Sequence, residues 1–181
     1  MSTITANEHR TDSRLAKSEK GEKGGKFLTF FLSTEEYGIE ILKVQEIIGV
    51  MTITPIPRTP AFIKGVINLR GRIIPIIDLR LKLSMEEAKH TEETCFIVVK
   101  AHDMHMGVVV DKVSEVLDIA GENVEDAPSM GEDINTDYIL GIGKAGDKVK
   151  MLLDIDKVLS DKDLKALQKV QEHAEKTEEA A

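Results

Sequence analysis

The chain has 181 residues, of which 41% are apolar and 31% charged, so it has room for one domain or two small ones with a real core. Its 24 basic and 32 acidic residues give a formal charge of −8, which argues against a protein built to neutralise phosphates on nucleic acid or anionic lipid, and no Trp with only two Tyr and five Phe leaves little to stack on bases. A single cysteine, Cys95, rules out an intramolecular disulfide, no run approaches the roughly 18 uninterrupted apolar residues of a membrane span, and no secretory pattern opens the chain, so a cytoplasmic protein is expected.

Residues 1–25, ending AKSEKGEKGG, mix both charge signs with Ser, Thr and Gly and carry no periodic apolar stripe, so a flexible arm is expected. A β-rich run opens at Phe27 in KFLTFFLS. Tyr37, Ile39 and Ile41 then alternate with other positions, the period of a half-buried strand, and Val44, Ile47 and Ile48 follow at i, i+3, i+4, which predicts a short helix. From Phe62 to Leu79 two strands flank a tight turn at NLRG. Ile73, Ile74, Ile76 and Ile77 lie on the return strand, and burying each contributes about 1.5–3 kcal/mol, an upper figure because denatured chains already hide part of that surface.

The same succession returns downstream. EYGIEILKVQEII from Glu36 aligns with HMGVVVDKVSEVL from His105 at an offset of 69 residues, matching Gly38 to Gly107, Lys43 to Lys112, Val44 to Val113 and Glu46 to Glu115. FLTFF from Phe27 aligns with FIVVK from Phe96 at the same offset, and GVINLRGRIIPIIDL from Gly65 with GIGKAGDKVKMLLDI from Gly141 at an offset of 76. The second copy has thus gained seven residues within GENVEDAPSMGEDINTD. By correspondence Met106, Val108 and Val110 form a strand, Val113, Val116 and Leu117 a short helix, and YILGIGKAGDKVKMLLDI a hairpin. At the end of the chain Ser160 is an N-cap with Asp163 three residues on, and Leu164, Leu167 and Val170 share one side of a terminal helix that frays after about Ala174.

GIGKAG, residues 141–146, has the G-x-G-x-x-G spacing of a dinucleotide site, but its third glycine leads into Asp147 and the strand KVKMLLDI where that site needs a helix N-terminus. The glycines are expected to serve a hairpin turn instead. Two β-barrel-like halves of about 65–75 residues are each near the lower size limit for a self-sufficient core, so they are expected to share an interior.

The stretch from Phe27 to Lys82, above all EYGIEILKVQEIIG, TPAFIKGVINLRG and IIPIIDLR, resembles the CheW family of bacterial chemotaxis proteins, and the likeness continues through GVVVDKVSEVL to LLDIDKVL, covering residues 26 to 160. That resemblance implies a mainly β fold of two tandem SH3-like five-stranded barrels with short helices and a C-terminal helix. The expected division is 1–25 arm, 26–93 first barrel and connector, 94–160 second barrel, and 161–181 helix and tail. It further implies a non-catalytic adaptor without cofactors, which couples the cytoplasmic tips of chemoreceptors to the regulatory domain of the histidine kinase CheA in membrane-associated arrays. CheW-like domains also occur within CheA and CheV, but the chain has no room for a kinase ATP-binding or response-regulator domain.

Asymmetry within the repeat narrows the candidate site. Arg70 is replaced by Gly146 in the second copy and Asn68 by Lys144, so the first turn carries polar groups that the repeat does not require. A guanidinium offers a planar fork of donors to a partner carboxylate or to backbone carbonyls, although a solvated turn arginine also fits the residues. The resemblance assigns Val44, Glu46 and Arg70 to receptor or kinase coupling, and with the turn residues Asn68 and Gly71 they form the expected partner-binding set. Glu46 has its counterpart in Glu115, so local pairing fits it as well as binding does, and Val44 also suits a core position.

Two other constellations are weaker. Asp78 and Asp154 occupy matching places and, brought together, would share a proton as a hydrolase dyad does, but they continue as DLRL and DIDK rather than Asp-Thr/Ser-Gly, so capping of the next turn is expected. His102 and His105 lie near Cys95 without a second Cys to complete a zinc set.

Overall fold

The computed structural model describes residues 24–127 and 136–179. All but the last two residues of the expected arm, and the middle of the seven-residue gain, lie outside them. The strands are β1 (Gly25–Leu32), β2 (Glu35–Glu40), β3 (Val44–Gly49), β4 (Ile63–Leu69), β5 (Arg72–Asp78), β6 (Cys95–Ala101), β7 (Met104–Val110), β8 (Lys112–Ile119), β9 (Val124–Glu125), β10 (Ile139–Ala145) and β11 (Lys148–Leu153). The α-helices are α1 (Leu79–Lys82), α2 (Ile155–Val158) and α3 (Asp161–Glu179). β1 starts at Gly25, two residues before Phe27, and α3 runs five residues past Ala174, which is buried and is followed by exposed Glu175 and Lys176.

The short helices expected at Val44–Ile48 and Val113–Leu117 are strands, β3 and β8, and only a three-residue 3-10 turn, Ile41–Lys43, precedes β3. The i, i+3 spacing has a different cause. Each strand carries an extra residue against its partner, between Val44 and Glu46 in β3 and between Val113 and Val116 in β8. A bulge shifts the side-chain phase by one, so an extended segment imitates helical spacing. Ile47 and Val116, which a helix would have buried, are 46% and 51% exposed.

The strands form two sheets, β8-β1-β2-β11-β10-β9 and β3-β6-β7-β5-β4, and the 69- and 76-residue offsets carry one order onto the other. One sheet has the expected five strands. The other has six because two-residue β9 pairs with β10 where the first copy makes only the Thr54–Val66 bridge. Thr54 and Glu125 thus correspond at an offset of 71, so two of the seven gained residues precede Glu125 and five follow it.

Pairing does not respect the boundary between 93 and 94. The β1–β2 hairpin joins the sheet of β8 to β11, and the β6–β7 hairpin joins β3 to β5. The junctions are the two parallel pairings, β11 on β2 and β5 on β7, in which Leu152 lies opposite Gly38 and Ile76 opposite Gly107. A Cβ on Gly38 would lie 3.0 Å from Leu152 Cδ2, and one on Gly107 would lie 2.6 Å from Ile76 Cδ1, so the glycines aligned in the repeat leave room for the aliphatic side chain of the crossing strand.

The apolar residues segregate accordingly. Phe96, Ile67, Ile74 and Ile76 with partly buried Ile48 fill one sheet's interior, and Phe27, Ile119 and Leu152 with Leu117 fill the other's. A larger shared cluster between the sheets takes Ile39, Ile77, Val108 and Leu153, together with Leu167 and Val170 from α3. Of the four isoleucines on β5, Ile74 and Ile76 therefore serve one module, whereas Ile77, with partly buried Ile73, serves the shared interior.

Polar links reinforce the same junction. The backbone N–H of Ser33, at the β1–β2 turn, donates to Asp111 at 2.7 Å, and Asp111 also accepts from Arg80 Nε at 2.9 Å. At the matching β6–β7 turn the N–H of His102 donates to Asp156 at 3.3 Å, and Asp156 accepts from Lys43 Nζ at 2.7 Å. Arg80 and Asp156 correspond at the 76-residue offset, so the same position of the repeat supplies the base of one link and the acid of the other. At the start of α3, Ser160 N–H donates to Asp163 at 2.9 Å and Asp163 N–H to Ser160 Oγ at 3.2 Å, the expected capping box, and Lys82 Nζ reaches Asp163 at 2.6 Å.

GIGKAG lies in a hairpin as expected, but only its third glycine serves the turn. Gly141 and Gly143 are inside β10, and Gly146 has φ +63° in the turn to β11. Gly141 meets the Glu125 carbonyl as Gly65 meets that of Thr54, where an added Cβ would lie only 2.1 Å from the oxygen at φ +139°. Gly65→Ala is expected to cost about 2–4 kcal/mol in urea unfolding, and Gly146→Ala, in open space, about 1 kcal/mol. Equal losses would contradict the close approach.

Burial alone would raise the Asp163 carboxyl, but Lys82 and the Ser160 N–H and hydroxyl outweigh it and hold it below the ordinary value. At Asp111, Arg80 and the Ser33 N–H outweigh burial in the same way. Folded values below the unfolded value of about 4 mean that this stabilisation is complete above pH about 4 and is lost as pH falls through the folded values. The urea midpoint is therefore expected to drop below pH about 4, with Asp163→Asn reducing the drop. An acid limb unchanged by that substitution would contradict the assignment.

Candidate functional site

The β4–β5 connection is a two-residue loop, since Leu69 pairs with Arg72. Its central residues, Arg70 and Gly71, have φ of +53° and +86°, the left-handed pair that a type I′ hairpin turn requires. Asn68 completes it by accepting the Gly71 N–H on Oδ1 at 2.8 Å. The second copy puts Gly146 where the first puts Arg70, and no backbone reason favours arginine in a conformation that glycine adopts more easily.

What the arginine does is visible in its side chain. Nη1 donates to Glu46 Oε1 at 2.9 Å and Nη2 to Oε2 at 2.8 Å, a fork-to-fork pair with Arg70 72% exposed. The hydrogen bond to Arg70 holds the Glu46 carboxyl below its ordinary range and raises the guanidinium in turn. So solvated a pair stabilises the fold little, and its effect is to present the charges in one fixed arrangement.

The pair also reports the shape of the sheet. Glu46 is on β3, at one edge, and Arg70 caps the β4–β5 hairpin at the other, three to four strand spacings or roughly 15–19 Å away if the sheet were flat. A contact of 2.8 Å requires the sheet to roll up, in agreement with an SH3-like module. Rolling brings Ile48 of β3 onto the cluster containing Ile67 and Leu69 of β4.

Of the five expected site residues, Glu46 and Arg70 are therefore in direct contact, and Asn68 and Gly71 build the turn that carries Arg70. Val44 is separate, half-buried against the shared interior on β3. The sequence hides this contact, because the apolar spacing around Glu46 reads as a helix and the segment is a bulged strand. The signal lay in the repeat: the glutamate is kept as Glu115, but its partner is not, and among the described residues no ion pair is formed by the Glu115 side chain. Ile47 and Val50, 46% and 44% exposed, add apolar surface close in sequence to Glu46.

Asp78 and Asp154 are occupied elsewhere. Asp78 accepts the Leu81 N–H at 3.2 Å to cap α1, and Asp154 accepts the Asp156 N–H at 3.1 Å to cap α2, on different sheets. His102 meets the backbone carbonyl of Asp156, and His105 is on β7, its imidazole held below the ordinary value by burial and by Arg72 and Lys100. Among the described residues no group of three His, Cys, Asp or Glu is placed to hold a metal ion, and no helix is long and apolar enough to cross a membrane.

Comparison with known proteins bears on the same region. The family model described as a CheW-like domain matches residues 26–163. The chain is 45% identical over 154 residues to a chemotaxis protein CheW of Klebsiella aerogenes, covering 85% of this chain and 91% of that protein. It is 35% identical over 144 residues to the chemotaxis protein CheW of Treponema pallidum, covering 77% and 85%. Among solved structures, the scaffolding protein TtCheW from Thermoanaerobacter tengcongensis is similar with a TM-score of 0.69 at 35% identity, over 75% of this chain and 92% of that one.

Arg70→Ala is expected to leave the thermal midpoint unchanged while the Glu46 carboxyl returns upward toward its ordinary value, read by carbon-detected NMR titration. A Glu46 titration identical to wild type would show that the fork is not formed in solution.

Proposed function

The chain belongs to the CheW-like family, and on that footing we propose that it is a non-catalytic cytoplasmic adaptor that couples the cytoplasmic tips of chemoreceptors to the regulatory domain of the histidine kinase CheA in membrane-associated arrays. The observation that carries this reading is the exposed Arg70–Glu46 fork. It is built by a strained turn and a bulged edge strand in the first copy alone, where the fold itself asks only for glycine.

A preset guanidinium is suited to a partner carboxylate or to carbonyls at the end of a partner helix, exchanging its exposed contact with Glu46 for one made at the interface. Asn68 and Gly71 hold the turn in shape for that exchange. Val44 keeps β3 seated on the shared interior, and exposed Ile47 supplies apolar contact beside the charges. Partner contacts extend over surfaces of both modules and the groove between them. Patches of this size bind modestly one at a time, so array formation relies on many simultaneous contacts. The hydrolase alternative has no observation in its favour, since Asp78 and Asp154 are both engaged as helix caps.

In arrays reconstituted from receptor tips, CheA and this protein, Arg70→Ala is expected to fold normally and lose receptor-dependent kinase stimulation. Arg70→Lys, which keeps the charge but not the fork, is expected to restore only part of it. Full stimulation by Arg70→Ala would refute the role of Arg70, and failure of the wild-type protein to pull down either partner would refute the adaptor reading.

A further inference from the structure

We infer that the groove between the β3–β4 loop and helix α3 is a second docking site, shaped for an acidic, amphipathic peptide segment of a partner protein. The groove has a volume of about 890 Å³. Its floor is apolar, formed by Ile56 on the loop and by Ala166 and Val170 on α3, with Pro57 and Pro60 forming one wall. The rim is cationic. Arg58 stands on the loop side, and Lys162, Lys165 and Lys169, at i, i+3 and i+7, follow one face of the helix.

Three observations give the groove its chemistry. No Asp or Glu lines it, although the protein as a whole carries a charge of −8. Of the helix carboxylates nearest in phase, Asp163 is engaged by Lys82 and Glu172 lies outside the lining. Among the described residues, Arg58, Lys162, Lys165 and Lys169 form no ion pair, so four uncompensated cations, not merely one, converge on the same groove. Finally, the loop is preset. Thr59 Oγ1 donates to the Ile56 carbonyl at 3.0 Å, Ile63 N–H donates to the Pro60 carbonyl at 3.0 Å, and Arg58 is held at φ +62°. A left-handed non-glycine residue that lines a groove with its cation is the kind of local strain found at binding sites.

Charge and shape together select the occupant. Unpaired cations around an apolar floor complement a segment that carries carboxylates along its flanks and aliphatic side chains on its inner face. A planar anionic membrane would not enter a concave groove and would be repelled by the acidic remainder of the protein, and a second copy of this chain would bring the same net charge. None of these residues belongs to the Arg70 site, so this surface stands or falls independently of the adaptor reading.

The test uses the full chain and a short fluorescein-labelled peptide of repeating Glu-Leu-Ala-Glu, with the corresponding Lys-Leu-Ala-Lys peptide as control. Fluorescence anisotropy is expected to show binding of the acidic peptide alone, weakening as salt is raised. Combined Lys165→Glu and Lys169→Glu is expected to weaken it about tenfold or more, and Arg58→Asn, which removes the charge while suiting the left-handed backbone, to weaken it from the opposite wall. Lys157→Glu, at an exposed position of α2 outside the groove, is expected to leave binding unchanged. Circular dichroism identical to wild type confirms that each variant is folded. The inference is overturned by no binding, by binding that survives the charge reversals, by equal binding of the basic peptide, or by a charge-reversal-sensitive preference for phosphatidylglycerol vesicles or for self-association over the peptide.

Discussion

The structure depends on two parallel strand pairings across which the copies of the repeat exchange their hairpins. β2 lies along β11 and β7 along β5, and each pairing places a glycine opposite a bulky aliphatic residue, Gly38 against Leu152 and Gly107 against Ile76. Without the glycines the crossing strand loses the space for its inward side chain. With them, each sheet is completed by strands from the other half. A module of about 70 residues is marginal by itself. Here neither module has a complete sheet of its own, so both must form together.

That exchange explains how the apolar residues are divided. Successive positions on β5 alternate between two interiors, Ile74 and Ile76 facing the module core and Ile77 the shared one, so the run IIPII is buried on both faces in the manner of a central strand. Helix α3 closes the shared interior with Leu167, Val170 and Ala174, and its capping box and the Lys82–Asp163 pair fix its first turn against α1. The turns of the exchanged hairpins are tied down by Asp111 and Asp156, which are held in turn by Arg80 and Lys43.

Surface features depart from the repeat where the fold tolerates it. Arg70 and Gly146 occupy the same left-handed position, and one copy gives it a fork that reaches across the rolled sheet to Glu46. The β3–β4 loop, held by Thr59 and Pro60, places Arg58 in the lining of the groove it shares with α3. Both sites combine a rigid turn with exposed cations, and neither adds to the buried interior. Such positions are free to differ between copies because sheet pairing constrains only the backbone there.

Periodicity and self-alignment by themselves determined the duplication, the two hairpins with turns at NLRG and KAGD, the rejection of a dinucleotide site at GIGKAG, and the capping box at Ser160 and Asp163. Apart from the duplication, which shows as self-similarity along the chain, these are local in sequence: a turn, a cap or a strand of period two is set by neighbours within a few residues. Where the signal was ambiguous, locality failed, since Val44, Ile47 and Ile48 have helical spacing only because a bulge shifts an extended strand by one residue, and a bulge is defined by its partner strand. Likewise the conserved spacing of Gly38 and Gly107 was legible as a match, but its purpose was not, because Leu152 and Ile76 lie 114 and 31 residues away along the chain. Nothing near Glu46 in the sequence points to Arg70, 24 residues on, and nothing near Arg58 points to Lys165. Only the tertiary structure decided those contacts, because rolling a sheet and docking a terminal helix are set by burial of apolar faces contributed from both copies at once, which no short window of residues contains.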